Sequence, residues 1–306
     1  MNLNQEVFDI YKYFVIERNR IYKKRFIEFK DRPWTDDKIL QDYRFTNIKR
    51  TQDRQTLNLL TNITNNNLIS YRDKLFFSII FRTWNKWESF KIIISENPTI
   101  DKYLSTSIQE YQSRINNYRS SNPDYKFFTD AFMVSGFLGS NRLDDHNNVI
   151  EDSVIRPIYL GNKIIKSGIL NQLELCKNDK ECYNNLVSIS GLSKFLAYQI
   201  YIDLTYIKDS PFCEDNLVIA GPGCRAGIDY VSNDNNVDYE QFLKELWNNQ
   251  DLLFQPYNLN DEFNYEYYYH GSKILSLEDL ENSFCEFSKY FTLYSNRRKK
   301  IRKYKQ

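Results

Sequence analysis

The sequence predicts an all-α protein, on three observations. Apolar residues recur at helical spacing over long segments, helix-start signals head several of those segments, and strand signals are few. In "QEVFDIYKYFVIERNRIYKKRFI", Val7, Ile10, Tyr11, Phe14, Ile21 and Tyr22 fall on one stripe, with charges on the other side. In "PWTDDKILQDYRF", Thr35 is the expected cap, and Asp36 and Asp37 stand where the helix dipole favours acids. "DKLFFSIIFRTWNKW" is apolar enough for a central helix. "VDYEQFLKELW" sets Asp238 three residues before Gln241, a capping-box spacing, and "SLEDLENSFCEFSKYF" begins at Ser276 in the same manner. The best strand candidate, "VIRPIYL", is demoted by its proline. Loops are expected at 121–130, 140–153 and 255–275.

At 306 residues, with 42% apolar and 16% aromatic residues, the chain can bury a substantial core. The expected organisation is one helical domain over 1–292, open to division into two lobes, followed by a basic tail at 293–306. The net charge is +1, yet "RRKKIRKYK" (297–305) holds seven basic residues, so the remainder stands at −6. Such a tail suits a polyanion such as nucleic acid, or is simply a solvated helix end. Five cysteines without a CxxC pair and only two histidines argue against a zinc site and for reduced thiols, although Cys176 and Cys182 are close enough in sequence for a local bridge. The N-terminus has no signal-peptide core and no apolar run reaches membrane-spanning length, so a soluble protein is expected, without a membrane partner. Its expected place is intracellular: host cytoplasm or nucleus, or associated with a virus or phage.

Residues 180–206, "KECYNNLVSISGLSKFLAYQIYIDLTY", read as a helical hairpin turning at "ISGLS". This resembles the helix-hairpin-helix element of the DNA glycosylase superfamily, whose common form is apolar-Pro-Gly-apolar-Gly with a small residue four on. Ile189, Ser190, Gly191, Leu192 and Ser193 occupy that frame, with Ala197 as the small residue. Glycine allows close approach to DNA, and free amides at the second helix's start can face a phosphate. Ser190 and Ser193 depart from the motif, and a plain helical turn is the competing reading. Where lyases of that superfamily carry a lysine, this chain has Phe195, with Lys194 adjacent, which disfavours Schiff-base chemistry. The superfamily's catalytic aspartate follows the hairpin by some twenty-odd residues. Asp215 matches that place, with Glu214 a competitor.

Further segments carry a more specific resemblance: "ERNRIYKKR" (17–25), "PWTDDKILQDYRFTNIKRTQDR" (33–54), "FRTWN" (81–85), "GLSKFLAYQIYIDL" (191–204), "IAGPGCRAGI" (219–228) and "SFCEFSKY" (283–290). In this order they resemble the α-glutamyl/putrescinyl-thymine pyrophosphorylase family, whose helical domain is also named for 5-hydroxymethyl-deoxyuridine DNA kinases. The resemblance runs from about residue 6 to 292. It implies a glycosylase-like helical fold acting in phage or viral thymine hypermodification, where 5-hydroxymethyluracil in DNA is phosphorylated, pyrophosphorylated and then attacked by an amine that displaces pyrophosphate. The implied partner is double-stranded DNA carrying the modified thymine. No cofactor is firmly implied beyond an amine or amino acid as co-substrate. The chain has no GxxxxGK[ST] motif, so a separate P-loop kinase is expected to supply phosphorylation.

Chemistry on a base requires its extrusion from the stack, aromatic walls, phosphate-binding cations and an acid or base. Arg44, Arg50 and Arg54, near Asn47, fit phosphate binding, or pair with Asp42 and Asp53. Trp34, Phe45 and Trp84 suit stacking on a flipped base, or core packing, and Asn85 suits reading a base edge. Asp215 is the candidate catalytic carboxylate, or a helix cap. Glu17, beside Arg18, and Glu286, near Lys289 and Tyr290, are further catalytic candidates, with surface pairing and helix docking as alternatives. Gly191, Ser193 and Lys194 at the hairpin are candidate DNA contacts. So are Gly221, Gly223 and Arg225, where "GPGCRAG" enters a helix whose first amides can face an anion; turning a corner is the alternative. A monofunctional glycosylase for modified thymine and a non-catalytic DNA-binding or packaging protein are the competing functions.

Overall fold

The computed structural model describes residues 1–129, 149–265, 273–296 and 303. The basic run at 297–302 and residues 304–306, the first part of the expected 140–153 loop, and 266–272 of the expected 255–275 loop lie outside the described residues. The chain forms two units, one built from both ends (1–53 and 214–306) and one from the middle (54–213).

The first unit opens with α1 (Gln5–Tyr22), capped by Asn4, whose side chain accepts from the Val7 amide at 3.4 Å. The π-helical turn Lys23–Ile27 continues it. In α2 (Lys38–Asp42) the cap is Asp37, not Thr35: Asp37 Oδ1 accepts from the Ile39 and Leu40 amides at 2.8 and 3.1 Å. Thr35 instead accepts from the Asp37 amide at 3.2 Å, one step too early to cap.

The middle unit holds α3 (Arg54–Leu59), α4 (Tyr71–Trp84), α5 (Trp87–Phe90), α6 (Ile100–Ser105), α7 (Ile108–Ser121), α8 (Arg156–Ser167), α9 (Ile169–Leu175), α10 (Asp179–Ser188) and α11 (Lys194–Thr205). The expected central helix is α4, buried from Lys74 to Trp84 against α8, α9 and α11. "VIRPIYL" is no strand. It starts α8, with Pro157 in the first turn, where a missing N–H leaves no helical bond unmade. α10 and α11 form the expected hairpin. Gly191 turns it at φ 96°, which an L side chain rarely adopts, and Ser193 caps α11 by accepting from the Leu196 amide at 3.1 Å. Ala197 and Leu196 are buried beneath the turn, while Ser193 and Lys194 are exposed.

The first unit resumes with α12 (Pro222–Val231), α13 (Tyr239–Asn248), α14 (Gln250–Leu253), α15 (Leu259–Glu262) and α16 (Leu277–Tyr294). Asp238 caps α13 through the Gln241 amide at 3.0 Å, and Ser276 forms a capping box with Asp279 at the start of α16. α16 is the axis of this unit, packed on α1, α2, α12 and α13. Tyr11 stacks on Phe284 with ring centroids 4.1 Å apart. All five cysteines are free thiols, Cys176 and Cys182 included. No helix among the described residues is long and apolar enough to cross a membrane.

Candidate functional site

In the first unit, chemistry gathers on α16. Its apolar residues Leu277, Leu280, Phe284 and Phe287 are buried, and so are its acids Glu278, Asp279, Glu281 and Glu286. Each acid is held by a segment distant in sequence. Arg50, in the 3₁₀ turn Arg50–Gln52, donates its guanidinium to Glu278 at 3.1 Å and its backbone N–H to Asp279 at 3.0 Å. Glu286 accepts from the Thr46 amide at 3.0 Å and pairs with Lys289. Glu281 accepts from the Gly221 amide at 2.9 Å. Asp215 accepts from the Leu277 amide, the first of the helix, at 3.3 Å.

The stretch from Phe45 to Gln52 is positioned from two sides. Arg18 donates to Asn47 Oδ1 at 2.5 Å and to the Phe45 carbonyl at 3.3 Å. Asn282 on α16 donates to the Asn47 carbonyl at 2.9 Å. Arg18, read as one half of a pair with Glu17, thus orders this stretch. Glu17 lies 3.9 Å from Arg20, which binds Glu262 through two nitrogens.

The electrostatics follow from burial. Desolvation pushes the Glu281 carboxyl well above the ordinary glutamate range, and the neighbouring Glu278 adds to the rise. Burial also raises Asp279, opposed by Lys49 and by the amides it accepts from. The array therefore combines a guanidinium and amide donors with carboxyls whose proton affinity burial raises.

Of the sequence-predicted residues, the fold gathers Asn47, Arg50, Asp215, Gly221 and Glu286 around α16. Others lie elsewhere. Phe45 packs on Phe14 and Tyr290, and Trp84 is 1% exposed against Phe90, so both rings fill core and cannot stack on a base as they stand. Asn85 is buried at the left-handed end of α4, which turns its amide inward to accept from Arg82 at 2.5 Å and donate to Thr129 at 2.7 Å; no edge of it faces solvent for base reading. Trp34 lies under two guanidiniums, Arg25 at 5.1 Å and Arg32 at 4.8 Å. Arg44 is exposed on the first unit, and Arg54, in the middle unit, is exposed and 3.6 Å from Glu88. Gly191, Ser193 and Lys194 stay together at the hairpin turn of the middle unit.

The "GPGCRAG" loop departs most from its expected role. Two amides at its start already meet carboxyl groups of the protein: Ala220, just before it, donates to Glu240 at 3.1 Å, and Gly221 to Glu281. Arg225 turns back to the Ala220 carbonyl at 3.0 Å and lies 3.9 Å from Glu240. Gly223 and Gly227 allow close packing, since a Cβ would strike Cys285 at the first and the Phe284 carbonyl at the second. The loop is a helix entry pressed against α16.

The sequence reading missed Glu278, Asp279 and Glu281. The available signal was the helix pattern itself, in which acids stand between the apolar residues Leu277, Leu280 and Phe284 and leave no clean solvent face. It also missed the buried pair of Arg82 with Asp203, bidentate at 2.6 Å for both contacts, which joins "FRTWN" to "IYIDL".

Residues 5–300 match the family model described as 5-hmdU DNA kinase, helical domain. A 5-hmdU DNA kinase of Bacillus phage SP10 is 28% identical over 313 residues, covering 96% of this chain and 46% of that protein. The chain thus spans about half the length of this relative. No solved structure matches. With nearly its whole length inside that match, the chain belongs to the family of 5-hmdU DNA kinase helical domains.

Proposed function

We propose that this chain acts in thymine hypermodification, handling 5-hydroxymethyluracil or its phosphorylated forms in DNA, and that it replaces a pyrophosphate on the base with an amine or amino acid. The observation that carries the reading is the family match over residues 5–300. The relative is named a kinase, but the chain corresponds to 46% of it and has no GxxxxGK[ST] motif. Phosphoryl transfer from a nucleotide is therefore work for another module, fused or separate.

The array on α16 supplies the chemistry this step needs. An amine attacks the methylene carbon attached to the ring, the carbon–oxygen bond breaks, and pyrophosphate leaves with the bonding electrons. The proton lost by the amine passes to a carboxylate, for which Asp215 is the candidate. Arg44, exposed on the first unit, is the candidate cation for the phosphates, and Glu286 holds the nearby Thr46 amide. Hypermodification of this kind requires the base to be extruded from the duplex.

The test is duplex DNA bearing the pyrophosphorylated base, incubated with the protein and candidate amines, then digested and weighed by mass spectrometry. An amine adduct with released pyrophosphate is expected. Asp215→Asn, which keeps an acceptor oxygen for the Leu277 amide, should lower the rate by about 10²-fold or more with the fold intact. Release of free base would instead indicate a glycosylase, and binding without any product a non-catalytic DNA-binding protein.

A further inference from the structure

Among the described residues, Phe29 is the most exposed large apolar side chain, 83% exposed, at φ 52°. It stands on a projection just beyond α1. Phe26 and Ile27, 43% and 38% exposed, extend the apolar tip. Between residues 23 and 34, "KKRFIEFKDRPW", there are five cations and two acids. One of those acids, Glu28, is held by Lys30 at 2.6 Å, and Arg25 has no carboxylate partner among the described residues.

The projection is braced from within. The Lys30 amide donates to the Lys24 carbonyl at 2.8 Å, Lys24 Nζ to the Trp34 carbonyl at 2.7 Å, and the Trp34 indole to the Lys30 carbonyl at 2.6 Å. Arg25 lies 4.5 Å from the Phe26 ring and 5.1 Å from Trp34, and Arg32 lies 4.8 Å from Trp34. The two guanidiniums occupy the tryptophan and are themselves preorganised by it. A braced loop holding a phenylalanine in water, in a backbone region that disfavours non-glycine residues, retains an apolar surface that folding does not use.

We propose that residues 23–34 are a DNA-entering projection, with Phe29 wedging into the base stack and Arg25 and Arg32 gripping the flanking phosphates. The inference rests on DNA being the substrate, as above. Three features select the occupant: cations flank an exposed aromatic tip, guanidiniums match phosphate oxygens, and a planar ring fits between base pairs. An apolar tip of three side chains is small for anchoring to a lipid surface, where stable attachment takes more buried area.

The experiment uses the full chain and a duplex carrying 5-hydroxymethyluracil beside 2-aminopurine, whose fluorescence rises when it unstacks. The wild type should bind, by anisotropy, and raise that fluorescence. Phe29→Ala should lose most of the rise and bind roughly tenfold more weakly, while Phe29→Trp restores both. Arg25→Gln with Arg32→Gln should lower the slope of log affinity against log salt by about two. Because these side chains are exposed, melting curves should be unchanged. Wild-type fluorescence from Phe29→Ala overturns the wedge and leaves the DNA reading standing. Absence of DNA binding by the wild type overturns both. Loss of binding to anionic vesicles but not to DNA assigns the projection to a membrane and also overturns it.

Discussion

Arg82 and Arg50 are both buried guanidiniums, one in each unit, and they differ in what surrounds them. Arg82 meets Asp203 through two parallel contacts at 2.6 Å and Asn85 through a third at 2.5 Å. There one cation matches one anion in the planar geometry a guanidinium prefers. Arg50 faces α16, where Glu278, Asp279 and Glu281 are buried together. Burial pushes the Glu281 carboxyl well above its ordinary range, and the neighbouring Glu278 adds to the rise. A balanced pair suits holding helices together. A crowded array can exchange protons, and that makes it the candidate for chemistry.

Breaking the balanced pair should have the largest effect. Asp203→Ala leaves a guanidinium buried without its anion, and a loss of about 3–5 kcal/mol is expected from urea unfolding. A loss near zero would show that the pair does not lock α4 to α11.

A smaller loss should follow from Gly227→Ala. Its Cβ would press on the Phe284 carbonyl, backbone that can only yield by moving α12 from α16. About 1–3 kcal/mol is expected, together with a disturbed Gly221–Glu281 contact visible in amide chemical shifts. Unchanged stability would mean the two helices are not as tightly apposed as the array requires.

The smallest and most diagnostic effect is that of Glu281→Gln, which keeps an acceptor for the Gly221 amide but removes the titrating group. With its folded value above its unfolded one, Glu281 binds more protons in the folded state. Wild-type stability should therefore fall as pH rises from the ordinary glutamate range upward through the folded value. The variant should lack that fall: equal to wild type near pH 4, and more stable at pH 8 by on the order of 1 kcal/mol. Parallel curves across that range would show that Glu281 stays ionised, removing the distinction drawn between the two arginines.

Much of the fold was legible locally. Ser276 and Asp238 cap as their spacing says, and the hairpin turns at Gly191. Thr35 failed because Asp37 stood next to the first helical residue, and "VIRPIYL" failed because a proline that breaks a strand is well placed in the first turn of a helix. Asn47, Arg50, Asp215 and Glu286 stood out in the sequence as polar residues in motif-bearing segments; that the fold gathers them around α16 did not. Trp84 took the core-packing alternative; an aromatic that can stack on a base and one that fills a core look alike in sequence.

The sequence by itself determined where helices start and stop and which segments mark the family, because caps, prolines and apolar spacing act within a few residues. Only the tertiary structure decided that Glu278, Asp279 and Glu281 lie in the interior. Asp279 is buried by contacts such as the Arg50 amide, 229 positions away, and Gly221 reaches Glu281 across 60. An acid's burial, and with it its proton affinity, belongs to what packs on it.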